Sequence, residues 1–279
     1  MDIKTIAVLI DTSPSRETRV DYATNLARRH GAHLIGIFLL PPDIGGGLAA
    51  SHVRGQAAIA DLLHHQRARK DDMIRDARDT FEKHAARQDV HCEFRVHAPR
   101  GEDERRLGAL HADLVVAASP KDSWLDDGPP ADVLQLATGV PFLLVPENWR
   151  NTEAPQRILI GWNASRESRR AIGDSLPLLA LASSVTVLIV DPQASIPAGE
   201  EPGVEVAMFL LRHGVRLTVD PVQSHGRAIP EVILEYATSN AHDLIVLGAY
   251  SHARTREIVL GGVTRSLLAQ SPIPLLISH

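Results

Sequence analysis

The chain has 279 residues, 44% of them hydrophobic and 23% charged, with a formal net charge of -5. That length gives one or two domains ample core, and the acidic balance argues against a nucleic-acid partner held on a basic face. One cysteine, Cys92, excludes an internal disulfide, and no window approaches the length of a membrane span. The opening stretch MDIKTIAVLID carries one lysine and an apolar run too short for a signal peptide, so a cytoplasmic protein is expected, with no membrane contact.

Apolar runs alternate with amphipathic segments along the whole chain. The first half reads as strand Thr5–Ile10, helix Ser15–His30 and strand Leu34–Leu40. A glycine-rich loop (PPDIGGGL) leads into a long charged helix from about Gln56 to Arg87. Strand His91–Val96, a helix around Glu102–Leu110, strand Asp113–Ala118, a short helix near Asp132–Ala137 and strand Phe142–Val145 follow. Cys92 falls in the third of these strands, where a packed thiol is the simple expectation.

The second half repeats the plan. It reads Arg157–Trp162, Ser165–Leu181, Ser184–Val190, Val204–His213, Val215–Val222, Ile229–Ser239, Leu244–Gly248, Val263–Gln270 and Leu275–Ser278. Two pairs of segments match directly. IAVLIDTSPSRETR (6–19) answers ILIGWNASRESR (158–169), and ADLVVAAS (112–119) answers HDLIVLGA (242–249). The polar, proline-bearing ENWRNTEAPQ, from Glu147 to Gln156, is the joint. Buried strands alternating with helices predict parallel sheets covered on both faces, here two tandem doubly wound α/β domains over 1–148 and 155–279. Five strands are expected in each sheet.

In such sheets ligands sit beyond the carboxyl ends of the strands, where strand order reverses. In the second half those ends carry Asn163, Val190 with Asp191, and Gly248. The stretch DLIVLGAYSHARTREIVLGGVT adds the pair Gly261-Gly262 and then Val263 and Thr264 at a helix start. Strand, glycine-bearing basic loop and helix N-terminus together form an anion site, because unpaired N–H groups there point at negative charge. Asn163 could accept from a ribose hydroxyl, Val190 backbone could meet an adenine edge, and Arg254, Arg256 or Arg265 could add charge. A loop that needs glycine only for its turns, with solvated arginines, accounts for the same residues.

With these motifs in place, the whole chain resembles a tandem-domain universal stress protein of bacterial type. That family's phosphate loop runs Gly, two residues, Gly, nine residues, Gly, then Ser or Thr. Gly248, Ser251, Gly261 and Gly262 occupy those four places here with the spacing kept. The resemblance implies a Rossmann-like fold of the adenine nucleotide alpha hydrolase kind. It further implies ATP, with magnesium, as the cofactor of the C-terminal half, and pairing of the two halves through their last strands. Association of two chains into a homodimer is left open. Three positions depart from the family: Ser251 replaces a glycine, Gly262 lacks the hydroxyl that would bond phosphate, and Asn163 stands where the family commonly has Asp. The first half keeps Asp11 but has Ala117-Ala118 at its strand end, and KDSWLDDGPP in place of the loop. Asp122, Asp126 and Asp127 repel phosphate and Pro129-Pro130 offer it no N–H, so that half reads as degenerate.

The implied function is a stress-response protein whose bound nucleotide acts as a switch, with turnover slow or absent because no general base stands out. A scaffold of the same fold without nucleotide, and a slow ATPase, are the alternatives. The tetrapeptide Gly173–Leu176 matches a hydrolase serine motif, but it falls inside a helix and is set aside. The fourteen histidines form no spaced ligand set.

Overall fold

The structure is a computed structural model, and it describes residues 2–41, 56–97, 111–120, 139–192, 203–249 and 262–278, with side chains from residue 64 onward in the second span. Ten strands form a single sheet: β1 (Thr5–Ile10), β2 (His33–Leu39), β3 (Cys92–His97), β4 (Leu114–Ala118), β5 (Phe142–Val145), β6 (Arg157–Gly161), β7 (Ser184–Val190), β8 (Leu217–Val222), β9 (Leu244–Gly248) and β10 (Leu275–Ser278). Their order is β3-β2-β1-β4-β5-β10-β9-β6-β7-β8. Each half contributes five parallel strands, and the halves meet where β5 pairs antiparallel with β10, Leu143 opposite Leu276.

The described helices are α1 (Arg16–His30), α2 (Gln56–Arg87), α3 (Arg166–Leu181), α4 (Val204–Arg212), α5 (Ile229–Ser239) and α6 (Gly262–Gln270). One face of the sheet packs Val20, Leu26 and Phe81 in the first half and Ile172, Leu179, Val206 and Leu210 in the second, from α1 to α4. The other face packs Ile233 and Ala237 of α5 and Leu267 and Leu268 of α6. Gly36 on β2 exists for this packing, since a Cβ there would lie 2.8 Å from the Phe81 ring. Cys92 is half-buried against the same core. Among the described residues no helix is long and apolar enough to cross a membrane.

The expected elements appear, with ends moved by a residue or two. β8 starts at Leu217 rather than Val215, because Val215 N–H bonds back to Leu210 O (3.1 Å) and closes α4 around left-handed Gly214. Gly31 ends α1 in the same way, with Ala32 N–H on Ala27 O. The helices expected around Glu102–Leu110 and Asp132–Ala137 lie outside the described residues.

One repeated residue ties the start of each half. Asp113 Oδ2 accepts from the N–H groups of Lys4 and Thr5 at 2.8 and 2.9 Å. Asp243 accepts from Gln156 N–H on Oδ2 (2.8 Å) and Arg157 N–H on Oδ1 (2.9 Å). Each aspartate precedes the fourth strand of its half and holds the first strand beside it, so the matching ADL and HDL segments share a structural cause. The second clamp is the drier one. Asp243→Ala should therefore cost about 2 kcal/mol, and Asp113→Ala nearer 1, as the freed N–H groups lose a charged acceptor. Urea unfolding of the two variants measures both.

Candidate functional site

The strand order in each half reverses once, between β1 and β4 in the first and between β6 and β9 in the second. Those are the two crevices where a ligand could sit. In the first, Asp11 follows β1 and is engaged through one carboxylate oxygen. Its Oδ1 accepts from Ser13 N–H (2.9 Å), Ser13 Oγ (2.6 Å) and Arg19 Nη2 (2.7 Å). Arg19 comes from α1, is buried, and also donates from Nε to Leu9 O (3.1 Å). Its Nη1 is buried without a hydrogen-bond partner among the described residues. Burial pushes the Asp11 carboxyl up, but the Arg19 charge and the Ser13 and Arg19 hydrogen bonds outweigh it and hold the group below its ordinary value. An internal ion pair thus fills the reversal point of the first half.

In the second half the same place is neutral. Counting eight residues on from Asp11 reaches Arg19, and eight on from Asn163 reaches Ala171. Burial follows this count: Arg19, Val20, Ala23, Leu26 and Ala27 in α1 correspond to the buried Ala171, Ile172, Ser175, Leu178 and Leu179 in α3. The expected match of Arg-Glu-Thr-Arg with Arg-Glu-Ser-Arg is therefore two residues out of register in space. A helix turns about 100° per residue, so a two-residue slip swings Arg169 out of the core and into solvent. Where the first half has aspartate and arginine, the second has asparagine and alanine.

Asn163 itself is exposed, and its Oδ1 accepts from Ser165 N–H at 3.2 Å. Ala164 beside it adopts φ 57°, a left-handed conformation that is costly for alanine. Ser165 caps α3 by accepting from Ser168 N–H (3.1 Å). Across the crevice Val190 ends β7 half-buried, and Asp191 follows with φ 51°. Asp191 Oδ1 accepts from Ser224 N–H (2.8 Å), and the Ser224 hydrogen bonds hold its carboxyl below the ordinary value. Two left-handed non-glycine residues thus flank the β6 and β7 ends, a strain that no motif announced.

Gly248 closes β9, and its empty side is filled by protein. A Cβ there would lie 2.4 Å from both Glu167 C and Ser168 N. The helix alone demands glycine at this place. α1 begins at Arg16, the counterpart of Ser168, whereas α3 begins two residues earlier by the same count, so the first half can carry Ala118 at the equivalent strand end. Gly262 opens α6, exposed, with no atom of the described residues within 4 Å of where a Cβ would point. Val263 is half-buried and Thr264 is buried, its Oγ1 donating to Gly248 O at 3.3 Å. That bond ties the first turn of α6 to the end of β9 and uses the hydroxyl proton that a phosphate would need. Arg265 is exposed on α6. Ser251, His252, Arg254, Arg256 and Gly261 lie outside the described residues. The described positions Asn163, Val190, Gly248, Gly262, Val263 and Thr264 all belong to β7, β9 and α6 or, for Asn163, lie two residues past β6, around one reversal point.

Among the described residues no group of three or more His, Cys, Asp or Glu side chains could hold a metal ion. The serine of the set-aside tetrapeptide, Ser175, is fully buried within α3 and donates to Ile172 O (3.1 Å), a packing role.

Residues 2–146 and 155–279 each match the universal stress protein family. Over 86 residues the chain is 35% identical to the universal stress protein Slr1230 of Synechocystis, a match that covers 31% of this chain and 27% of that relative. A universal stress protein from Archaeoglobus fulgidus DSM 4304 superposes with a TM-score of 0.65 at 13% identity, covering 98% of this chain and 97% of that one. A putative universal stress protein from Pseudomonas aeruginosa UCBPP-PA14 gives 0.57 at 14% identity over 99% and 93%. At such identities the two structures show the shared fold.

The packing makes two predictions. A methyl at Gly248 must push α3 from β9, so Gly248→Ala should lose roughly 1–3 kcal/mol in ligand-free protein, read from urea melts. Asp11→Ala leaves Arg19 buried without its counter-charge and should cost about 3 kcal/mol, against less than about 0.5 kcal/mol for Asn163→Ala at its exposed site. Because the Asp11 carboxyl titrates below its ordinary value when folded, its contribution is present above that ordinary value. It is lost as pH falls through the folded pKa. The gap between wild type and Asp11→Ala should therefore be wide in melts at neutral pH and should close in melts taken below the ordinary carboxylate range.

Proposed function

The chain belongs to the universal stress protein family, and from that premise we propose that its C-terminal half binds an adenine nucleotide, ATP with magnesium, as a regulatory switch in the cytoplasm. The observation that carries this reading is the unequal state of the two reversal points. In the first half an Arg19–Asp11 ion pair stands where a ligand would lie. In the second the place is neutral, with Asn163 exposed and Ala171 behind it.

The residues fit a nucleotide in four respects. The Asn163 amide is exposed to a ribose, and the end of β7 at Val190 offers backbone to a base edge. The first turn of α6, at Gly262, Val263 and Thr264, presents N–H groups with the positive end of the helix dipole to phosphates. Exposed Arg265 adds charge beside them. Magnesium would arrive on the phosphates and offset their charge. This chain's part is to orient the ribose and hold the phosphates at the α6 end. Homodimer formation is part of the same proposal, as a means of passing the switch to a second chain.

A second reading, a scaffold that binds no nucleotide, draws on one observation. Gly248 and the Thr264 hydroxyl, both central to a phosphate loop, are each occupied by the fold itself.

Calorimetry of ATP–magnesium decides between them. The expected result is one site per chain, abolished by bulk at the first turn of α6 (Gly262→Trp). Gly262→Ser should bind several-fold more tightly, since no described residue crowds the side chain and a hydroxyl returns to the helix start. Trp162, half-buried and next to Asn163, serves as the fluorescence reporter. No heat and no change in Trp162 emission at millimolar ATP would leave the scaffold reading standing.

A further inference from the structure

Beside the crevice, α4 is apolar on both sides. Val206 and Leu210 are buried toward the sheet. At 100° per residue Val204, Met208 and Leu211 fall on the opposite side, and they are 48%, 46% and 55% exposed. A helix apolar all round is normally buried all round. Phe209, 40% exposed, turns to the flank and packs at a tilt against His213, with ring centroids 4.6 Å apart.

That flank meets α3 in a groove of about 600 Å³ lined by Arg166, Glu167, Arg169, Arg170, Gly173 and Phe209. Its charges are unequal. Arg166 Nη2 pairs with Glu167 (3.0 Å), and Arg170 Nε pairs with Asp174 (2.8 Å). Arg169 has no acidic partner among the described residues and leaves one positive charge uncompensated at the groove. On α4 itself Glu205 and Arg212 share a flank, one charge of each sign.

We propose that the outer face of α4 and the α3–α4 groove dock an acidic helical segment of a partner protein that carries an apolar stripe. An exposed apolar patch edged by arginines has the composition of a protein interface, where an aromatic, a methionine and arginines supply most of the contact energy. A groove between two helices takes a third helix by its apolar side. Met208 adapts its shape to the guest, Phe209 packs against its flank, and Arg169 pairs with a carboxylate. The partner is a different protein rather than a second copy, because two-fold pairing of this face would set the same arginine-edged patch, Arg166, Arg169 and Arg170, against itself. The surface does not depend on the nucleotide reading: α3 alone separates it from Gly248, and none of its lining residues belongs to the proposed ATP set.

The test uses a fluorescein-labelled synthetic peptide with leucine at positions i, i+3, i+4 and i+7 of each two turns and glutamate elsewhere, in anisotropy titrations of the full chain at low salt. Saturable binding of one peptide per chain is expected, weakened about tenfold or more by Arg169→Glu and likewise by Met208→Asp. The same peptide with lysine for glutamate should not bind. Both substituted residues are exposed, so thermal melts of the variants should match wild type. Added ATP should leave the peptide isotherm unchanged, and loss of ATP heat in calorimetry would bear only on the nucleotide reading. No saturable binding, or binding that both variants retain, overturns the proposal. Two further outcomes overturn it in favour of another occupant. One is co-sedimentation with phosphatidylglycerol vesicles, lost in Met208→Asp, with no peptide binding. The other is a wild-type dimer in sedimentation velocity that Met208→Asp converts to monomer.

Discussion

The antiparallel pairing of β5 with β10 is the constraint on which the rest depends. Phe142, Leu143 and Leu144 lie opposite Ile277, Leu276 and Leu275, all essentially inaccessible to water. Neither half is therefore a finished layer structure, since each ends in a strand whose outer edge is completed only by the other. The hydrophobic cores follow suit. Residues of both halves share each face of the sheet, so the faces are continuous cores rather than four separate ones.

Antiparallel joining also fixes where chemistry can occur. The carboxyl ends of the first five strands point one way along the sheet and those of the last five point the other. The two reversal points consequently open on opposite edges and cannot share a ligand. Each is free to diverge, and they have. One carries an aspartate–arginine pair whose arginine is buried. The other carries neither charge. Having both or neither is physically sensible, because a buried guanidinium without its carboxylate would be costlier than either complete arrangement.

Much of the fold was legible in the sequence because the strands are short apolar runs and the helices carry clear punctuation, such as Gly31 after α1 and Ser165 before α3. The aspartates at 113 and 243 were visible as a repeat, but their task was not. A clamp on backbone N–H groups 86 to 109 residues away leaves no local pattern. The candidate site was legible as a set of strand ends and a helix start. It was misread where side-chain identity stood in for position. The Arg-Glu-Ser/Thr-Arg match looked like homologous placement, yet the shorter loop before α3 moves that string by two residues and turns its last arginine from core to solvent.

Gly248 marks the boundary between the two kinds of knowledge. The sequence by itself determined that a glycine ends β9 at a spacing shared with a phosphate loop, because strand periodicity and residue counts are local facts. Only the tertiary structure decided that α3, begun half a turn earlier than its counterpart, lies against that glycine and excludes any side chain. Likewise the sequence placed Thr264 at a helix start, and packing turned its hydroxyl to Gly248 O. Composition and spacing specify which groups are present along the chain. Contact between distant segments specifies which of those groups are already satisfied, and only the unsatisfied ones remain for a ligand.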